Sequence, residues 1–245
     1  MGKLNGGGAE NGGGGAENGG GSSAYPGWVG YIEYDDETGE AIAADYSGLE
    51  MGGEVPDSFR FNYIHFRGDW KGSIGKFTNG YNMFYGCSNL TSFTGDLSSL
   101  TNAGTMFYQC SNLTSFNGDL SNLTDGSSIF SGCSNLTSFT GDLSNLTNGA
   151  SMFVSCPNLA SFSSDLSSLT NGASMFYQCK LDAASVERIL STIPEYSDGS
   201  SHSLTMTVQS GAAAAKFGEI TGTIPTSSQK NVIFKGWTIS VNTKN

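Results

Sequence analysis

The chain has 245 residues, with 11 Lys+Arg against 22 Asp+Glu and a formal net charge of −11. Its length allows one or two domains, and with only 13% of residues charged and 35 Gly it suits short strands and tight turns better than a helical bundle. The deficit of basic charge argues against nucleic acid and anionic membrane as partners, which are held by Lys/Arg clusters, and no apolar run approaches the ~18–20 residues that cross a bilayer.

The chain opens on Met1-Gly2-Lys3-Leu4 and a Gly/Asn/Ala/Glu tract, with no apolar stretch of the secretory kind. The expectation is a product made in a cytoplasm that does not leave by the ordinary export route. Gly6 stands where a myristoylation signal needs Ser or Thr. Residues 5–21 repeat a unit of six or seven residues rich in Gly. Such chain loses too much entropy on ordering to fold alone, so residues 1–24 are read as a tether, or as an anchor that orders only inside an assembly.

Residues 25–61 form an N-terminal β segment. Trp28 to Tyr34 reads as a strand, Asp35-Asp36-Glu37-Thr38-Gly39 as a turn, and Glu40 to Tyr46 as a returning strand. The acids are a solvated turn, without the spacing of a calcium loop.

Residues 62–181 are a repeat. Cys87, Cys110, Cys133, Cys156 and Cys179 recur every 23 residues, and Phe84/Phe107/Phe130/Phe153/Phe176 keep the same register. So do Leu90/Leu113/Leu136/Leu159, Phe93/Phe116/Phe139/Phe162, Leu97/Leu120/Leu143/Leu166 and Leu100/Leu123/Leu146/Leu169. One such unit cannot bury its apolar positions alone; stacked on its neighbours it builds a continuous core along a solenoid axis. An earlier copy, Phe66-Arg67-Gly68-Asp69-Trp70, aligns with Phe93-Thr94-Gly95-Asp96-Leu97, followed by four extra residues before Met83. It is expected as a capping rung.

The repeat resembles the BspA-type leucine-rich repeats, which combine C-x-x-L-x-x-(apolar) with F-x-x-C in a 23-residue unit. Cys110-Ser111-Asn112-Leu113-Thr114-Ser115-Phe116 and Met106-Phe107-Tyr108-Gln109-Cys110 carry that pattern. The resemblance implies a leucine-rich-repeat solenoid, mainly β, of about five to six rungs. It implies binding rather than chemistry, as in bacterial surface adhesins and in proteins of phages that infect gut and oral bacteria.

After Cys179 the pattern breaks, and residues 182–245 read as an α/β C-terminal cap. Asp182 is the expected N-cap of a helix running to Leu190, with Pro194 just past its end. A strand from Leu204 to Val208, an Ala-rich helix near Ala212–Phe217 and a strand from Trp237 to Val241 follow. This tail closes the open end of the stack.

Few residues carry chemistry. The cysteine spacing matches no zinc pattern, and equivalent positions of a solenoid point the same way at strand spacing, too far for a disulfide. The thiols are therefore read as reduced, buried and apolar. Asp96, Asp119, Asp142 and Asp165 stack as like charges, offset by capping the N–H groups of their turns; the alternative is a calcium ladder. From Met83 to Cys179 there is no Lys, Arg, Glu or His, and the chain has only His65 and His202. No general acid–base pair or nucleophilic triad is assembled, and Asp35, Asp36 and Glu37 give no facing carboxylate pair. The chain is read as non-enzymatic, without cofactor or metal. The N-x-[ST] sequences at Asn89, Asn112, Asn122, Asn135 and Asn145 follow from the repeat, and these Asn are expected to bond their own turns.

The apolar set is nearly invariant between copies, whereas a few places vary: after the Phe stand Tyr85, Tyr108, Ser131, Val154 and Tyr177, then Gly86, Gln109, Gly132, Ser155 and Gln178. Exposed Tyr with Gln suits carbohydrate or protein recognition, so Tyr85, Tyr108, Tyr177, Gln109 and Gln178 are the candidate binding residues. The competing reading has the Tyr rings packing only on one another. Thr91/Thr114/Thr137 with Ser92/Ser115/Ser138 form a second candidate row, or a solvated β-face. The expected role is a phage virion surface component that attaches to a bacterial surface polysaccharide or protein and meets other virion proteins through its Gly-rich N-terminus. The alternatives are an exported bacterial surface adhesin and a structural decoration protein of the virion.

Overall fold

In a computed structural model the protein is described over residues 77–197 and 199–244 and, ahead of these, over the strand segments 3–5, 31–34, 41–45, 53–54 and 68–71. β1 (Lys3–Asn5), β2 (Tyr31–Tyr34) and β3 (Ala41–Asp45) form an antiparallel sheet in that order. The β2–β3 pair is the expected hairpin, with Tyr31 opposite Asp45. β1 lies in the segment read as tether or anchor, yet it pairs with β2, Leu4 opposite Ile32. The rest of the Gly-rich tract, the acids Asp35, Asp36 and Glu37, and His65 lie outside the described residues.

β4 (Gly53–Glu54) pairs in parallel with β6 (Phe77–Asn79), and β5 (Gly68–Lys71) with β7 (Leu90–Gly95). Trp70 stands opposite Phe93. This corrects the expected alignment, which matched Trp70 to Leu97 and required four extra residues. Since 93 − 70 = 23, the earlier copy keeps the repeat period, and β5 places an aromatic residue opposite an aromatic residue.

Each repeat has two parallel sides. On one, β7 and β8 (Ser115–Gly118), then β9 (Ser138–Phe139) and β10 (Ser161–Phe162), form parallel pairs. Strand alternation sends Phe93, Phe139 and Phe162 inward and leaves Ser115, Ser138 and Ser161 exposed. The other side starts at the bridges Asn79↔Asn102↔Asp125↔Asn148↔Asn171 and runs on as successive tight turns. Met83 N–H donates to the Gly80 carbonyl and Cys87 N–H to that of Phe84, closing two turns. Between them, the N–H groups of Asn82, Phe84 and Gly86 donate to Gly104, Met106 and Tyr108 of the next rung. Backbone donors are thus used alternately within and between rungs, as burial of a backbone requires.

Inside, two columns of phenylalanine rings interlock. Phe84, Phe107, Phe130, Phe153 and Phe176 stack with centroids 5.1–5.6 Å apart. Phe93, Phe116, Phe139 and Phe162 form the second column, and its rings meet the first largely edge-on, for example Phe116 on Phe130 at 4.8 Å and 72°. Edge-to-face contact aligns the positive ring edge with a negative face, adding about 0.5–1.5 kcal/mol per pair beyond burial. The Leu and Cys rows complete the core and are 0% exposed.

β11 (Gly172–Leu181) is the last repeat's turn side; it pairs in parallel with β12 (His202–Gln209). β13 (Lys230–Phe234) is antiparallel to β14 (Trp237–Lys244), which pairs in parallel with β12, giving the order β11-β12-β14-β13. α1 (Ala183–Thr192) starts at Asp182, whose carboxylate accepts the Ser185 N–H at 2.8 Å, and α2 (Ala212–Thr221) follows β12. β13 was not expected. Its turn into β14 has positive φ at Lys235 (51°) and Gly236 (79°), the pattern of a two-residue hairpin turn. Gly is required there, because a Cβ on Gly236 would lie 2.1 Å from the Tyr196 carbonyl oxygen.

Candidate functional site

The turn side carries the varied residues. In each rung the third residue of a turn has a left-handed backbone: Asn82, Thr105, Ser128, Ser151 and Ser174 in one series, Gly86, Gln109, Gly132, Ser155 and Gln178 in the other, with φ between 55° and 79°. A positive φ at that position is what a type II turn demands. It sets the directions of the neighbours as well. Tyr85 and Tyr108 hold the same place in consecutive rungs, and their rings stack at 4.8 Å and 16°.

Three of the five candidate residues are therefore brought together and two are set apart. Gln109 follows Tyr108 and lies against Gly132, where an added Cβ would meet the Gln109 Cγ at 3.2 Å. Tyr177 and Gln178 stand three rungs further along the stack, beyond Ser131 and Val154. Tyr177 is 39% exposed, and the Gln178 carbonyl oxygen accepts from the Ser155 hydroxyl at 2.8 Å. Tyr81 went unremarked in the sequence and is 44% exposed. It takes the second place in the turn before that of Tyr85, and the four-residue separation was its only signal. From Gly80 to Cys87, and in the matching segments of the following rungs, no residue is charged.

The β-side offers the second candidate row. Ser115, Ser138, Thr114 and Thr137 are exposed, and the Thr114 hydroxyl donates to the Thr91 carbonyl at 3.0 Å. The row is thus partly engaged in joining rungs. The Asp row borders it. Asp96, Asp119, Asp142 and Asp165 accept the N–H of Ser98, Ser121, Ser144 and Ser167 at 2.7–2.9 Å, the expected capping role. Hydrogen bonds from Ser121 hold the Asp119 carboxyl below its ordinary range, and Ser167, with Arg188, does the same for Asp165. Among the described residues no group of three or more His, Cys, Asp or Glu converges as a metal site would require.

Two of the five asparagines of the N-x-[ST] sequences depart from expectation. Asn122 and Asn145 donate to the Ser98 and Ser121 carbonyls of the preceding rung, at 2.8 and 2.7 Å, instead of bonding their own turns. Asn79, Asn102, Asn148 and Asn171, at another position of the repeat, do bond their own turns, accepting the N–H two residues on at 2.9–3.2 Å. His202 also joins elements. It stacks on Tyr196 at 3.5 Å, its Nδ1 lies 2.9 Å from the Thr170 carbonyl, and its Nε2 lies 2.6 Å from the Ser200 hydroxyl.

A family model described as the BspA type leucine-rich repeat region matches residues 78–205 in 6 copies. No curated protein and no solved structure matches the chain.

Proposed function

The chain belongs to the BspA-type leucine-rich-repeat family, and from that premise we propose that it is a phage virion surface component that attaches to a bacterial cell surface. The family's repeats are typically binding modules of adhesion-type surface proteins, without enzymatic activity. The observation that carries the attachment reading is the turn face, an uncharged surface bearing Tyr81, Tyr85, Tyr108 and Tyr177 beside amide side chains. Tyr gives contact area with a polar tip at small entropic cost, which suits recognition of a polysaccharide or a protein. The Gly-rich N-terminus meets other virion proteins, and residues 182–245 close the end of the stack.

The test is binding of the full chain to a panel of bacterial cells and purified surface polysaccharides, beside a variant with Tyr85, Tyr108 and Tyr177 changed to Ala. Saturable binding lost in the variant supports attachment through this face. Mass spectrometry of purified phage particles tests the virion assignment separately. The near identity of the rungs favours one rival, a decoration protein that binds only within the virion. Removal of the chain from the particle would then lower particle stability and leave adsorption unchanged.

A further inference from the structure

Building on that attachment reading, we propose that the gap between Tyr108 and Tyr177 is a sugar slot that takes a neutral pyranose unit stacked on the Tyr108 ring. The column of side chains after the Phe runs Tyr85, Tyr108, Ser131, Val154, Tyr177. Because Tyr85 and Tyr108 are nearly parallel and one rung apart, at 4.8 Å and 16°, their faces look along the solenoid axis. The Tyr108 face turned away from Tyr85 therefore looks over Ser131, a short side chain 7% exposed. Val154 continues the floor, and Tyr177, 39% exposed, stands at the far end. With rungs about 4.8 Å apart, the two Tyr positions are separated by about 14 Å, room for one or two saturated rings parallel to Tyr108.

The chemistry of the walls selects the occupant. Gln109 lies beside Gly132 at the Tyr108 end. At the other, the Gln178 carbonyl oxygen is taken by Ser155, which leaves its NH2 as a donor. These groups match sugar hydroxyls, while the apolar C–H face of a pyranose matches the face of Tyr108. The slot supplies no cation to a phosphate or uronate and no carboxylate to an amine, so the unit it takes is uncharged.

The repeat itself provides the blocking variant. Three rungs already carry Tyr at this column position, so Ser131→Tyr extends the Tyr85–Tyr108 stack on a backbone that accepts it. The full chain, Ser131→Tyr and Tyr108→Ala are compared on a printed array of neutral hexose and N-acetylhexosamine oligosaccharides beside uronate- and phosphate-bearing ones, with melting curves for each. The wild-type chain binds neutral glycans; Tyr108→Ala weakens this by about tenfold, the scale of one aromatic stacking contact, and Ser131→Tyr removes it while still melting in a single cooperative transition. Binding only to charged glycans, neutral binding that survives Ser131→Tyr, or no glycan binding overturns the slot. Whole-cell binding, measured in parallel, separates the failures. If cells are still bound, attachment stands without the sugar slot; if they are not, the attachment reading fails as well.

Discussion

The thiol of Cys110 donates to the carbonyl oxygen of Phe84, 3.2 Å away and one rung back. The same bond recurs from Cys133 to Phe107, Cys156 to Phe130 and Cys179 to Phe153, at 3.1–3.2 Å. Each of these carbonyls also accepts the N–H that closes its own turn, so the thiol fills its second lone pair. This explains why Cys, small and weakly donating, occupies the position where Ala would fit and Ser would carry a costlier hydroxyl.

Burial pushes these thiols up, Cys156 to about 12 and Cys133 and Cys179 well above the ordinary thiol value. The unfolded chain releases its thiol protons near pH ~8.5, while the folded chain keeps them. Stability from this row is fully present below that pH and is lost as pH rises towards the folded values, by up to about 1.4 kcal/mol per pH unit for each thiol. Melting temperature measured from pH 7 to 10 is expected to fall above pH ~8.5, with a shallower fall in Cys133→Ala. A flat profile would place the thiols in contact with solvent. Alkylation by iodoacetamide at pH 8 should likewise leave all five cysteines unmodified until denaturant is added.

Phe130 touches Phe107, Phe116, Phe139 and Phe153, two in each column. Phe130→Ala removes those contacts and leaves a cavity between rungs that cannot approach one another, because their backbone ladder fixes the spacing. The expected cost is about 3–5 kcal/mol in chemical denaturation. Tyr177→Ala, on an exposed ring, is expected to cost under ~1 kcal/mol. Equal losses in the two variants would show that the Phe columns do not carry the core.

Ser128 holds φ at 56° in the series that Asn82 begins. Left-handed backbone costs an ordinary L-residue about 1–2 kcal/mol, less for Asn. Ser128→Asn is therefore expected to raise stability by a few tenths to ~1 kcal/mol, and Ser128→Val to lower it by ~1–2 kcal/mol through its branched Cβ. Urea unfolding of the pair gives the sign of each change. Stabilisation by Val would mean that the turn side does not hold the left-handed geometry in solution.

Much of this was legible because the period is so regular. The spacing of Phe84, Leu90, Phe93, Leu97 and Leu100 demands a stack, and Asp182 with Pro194 brackets α1 closely. What escaped was geometry that leaves no trace in hydrophobic pattern. The left-handed turns fall on Thr105, Ser128 and Gln109, residues that do not announce a positive φ as Gly or Asn does. Tyr81 was overlooked because its column is otherwise Gly, Ser and Ala. The β13–β14 turn is Lys235-Gly236, without the Asn or Asp that marks most such hairpins. The candidate site was visible as residues but not as an arrangement, since only the rung spacing shows that Tyr85 and Tyr108 stack while Tyr177 stands apart.

Trp237 ties the C-terminal strands to the repeat. It is 0% exposed, its indole N–H donates to the Pro194 carbonyl at 2.9 Å, and its ring meets Tyr196 and His202 at 5.7 and 5.3 Å. Tyr196 in turn donates to the Leu169 carbonyl at 2.8 Å, so one aromatic cluster links β12 and β14 to the last rung. Trp237→Ala empties that cluster and orphans the Pro194 carbonyl, at an expected cost of about 3–5 kcal/mol. Because the cluster sits at one end of a stack whose rungs contact chiefly their neighbours, the loss is expected to be local. Limited proteolysis should cut the variant first within 195–201, while amides near Phe107 keep their hydrogen-exchange protection. Simultaneous loss of protection at Phe107 and Trp237 would show that repeat and C-terminal strands unfold as one unit, and the cluster would then be part of a single core.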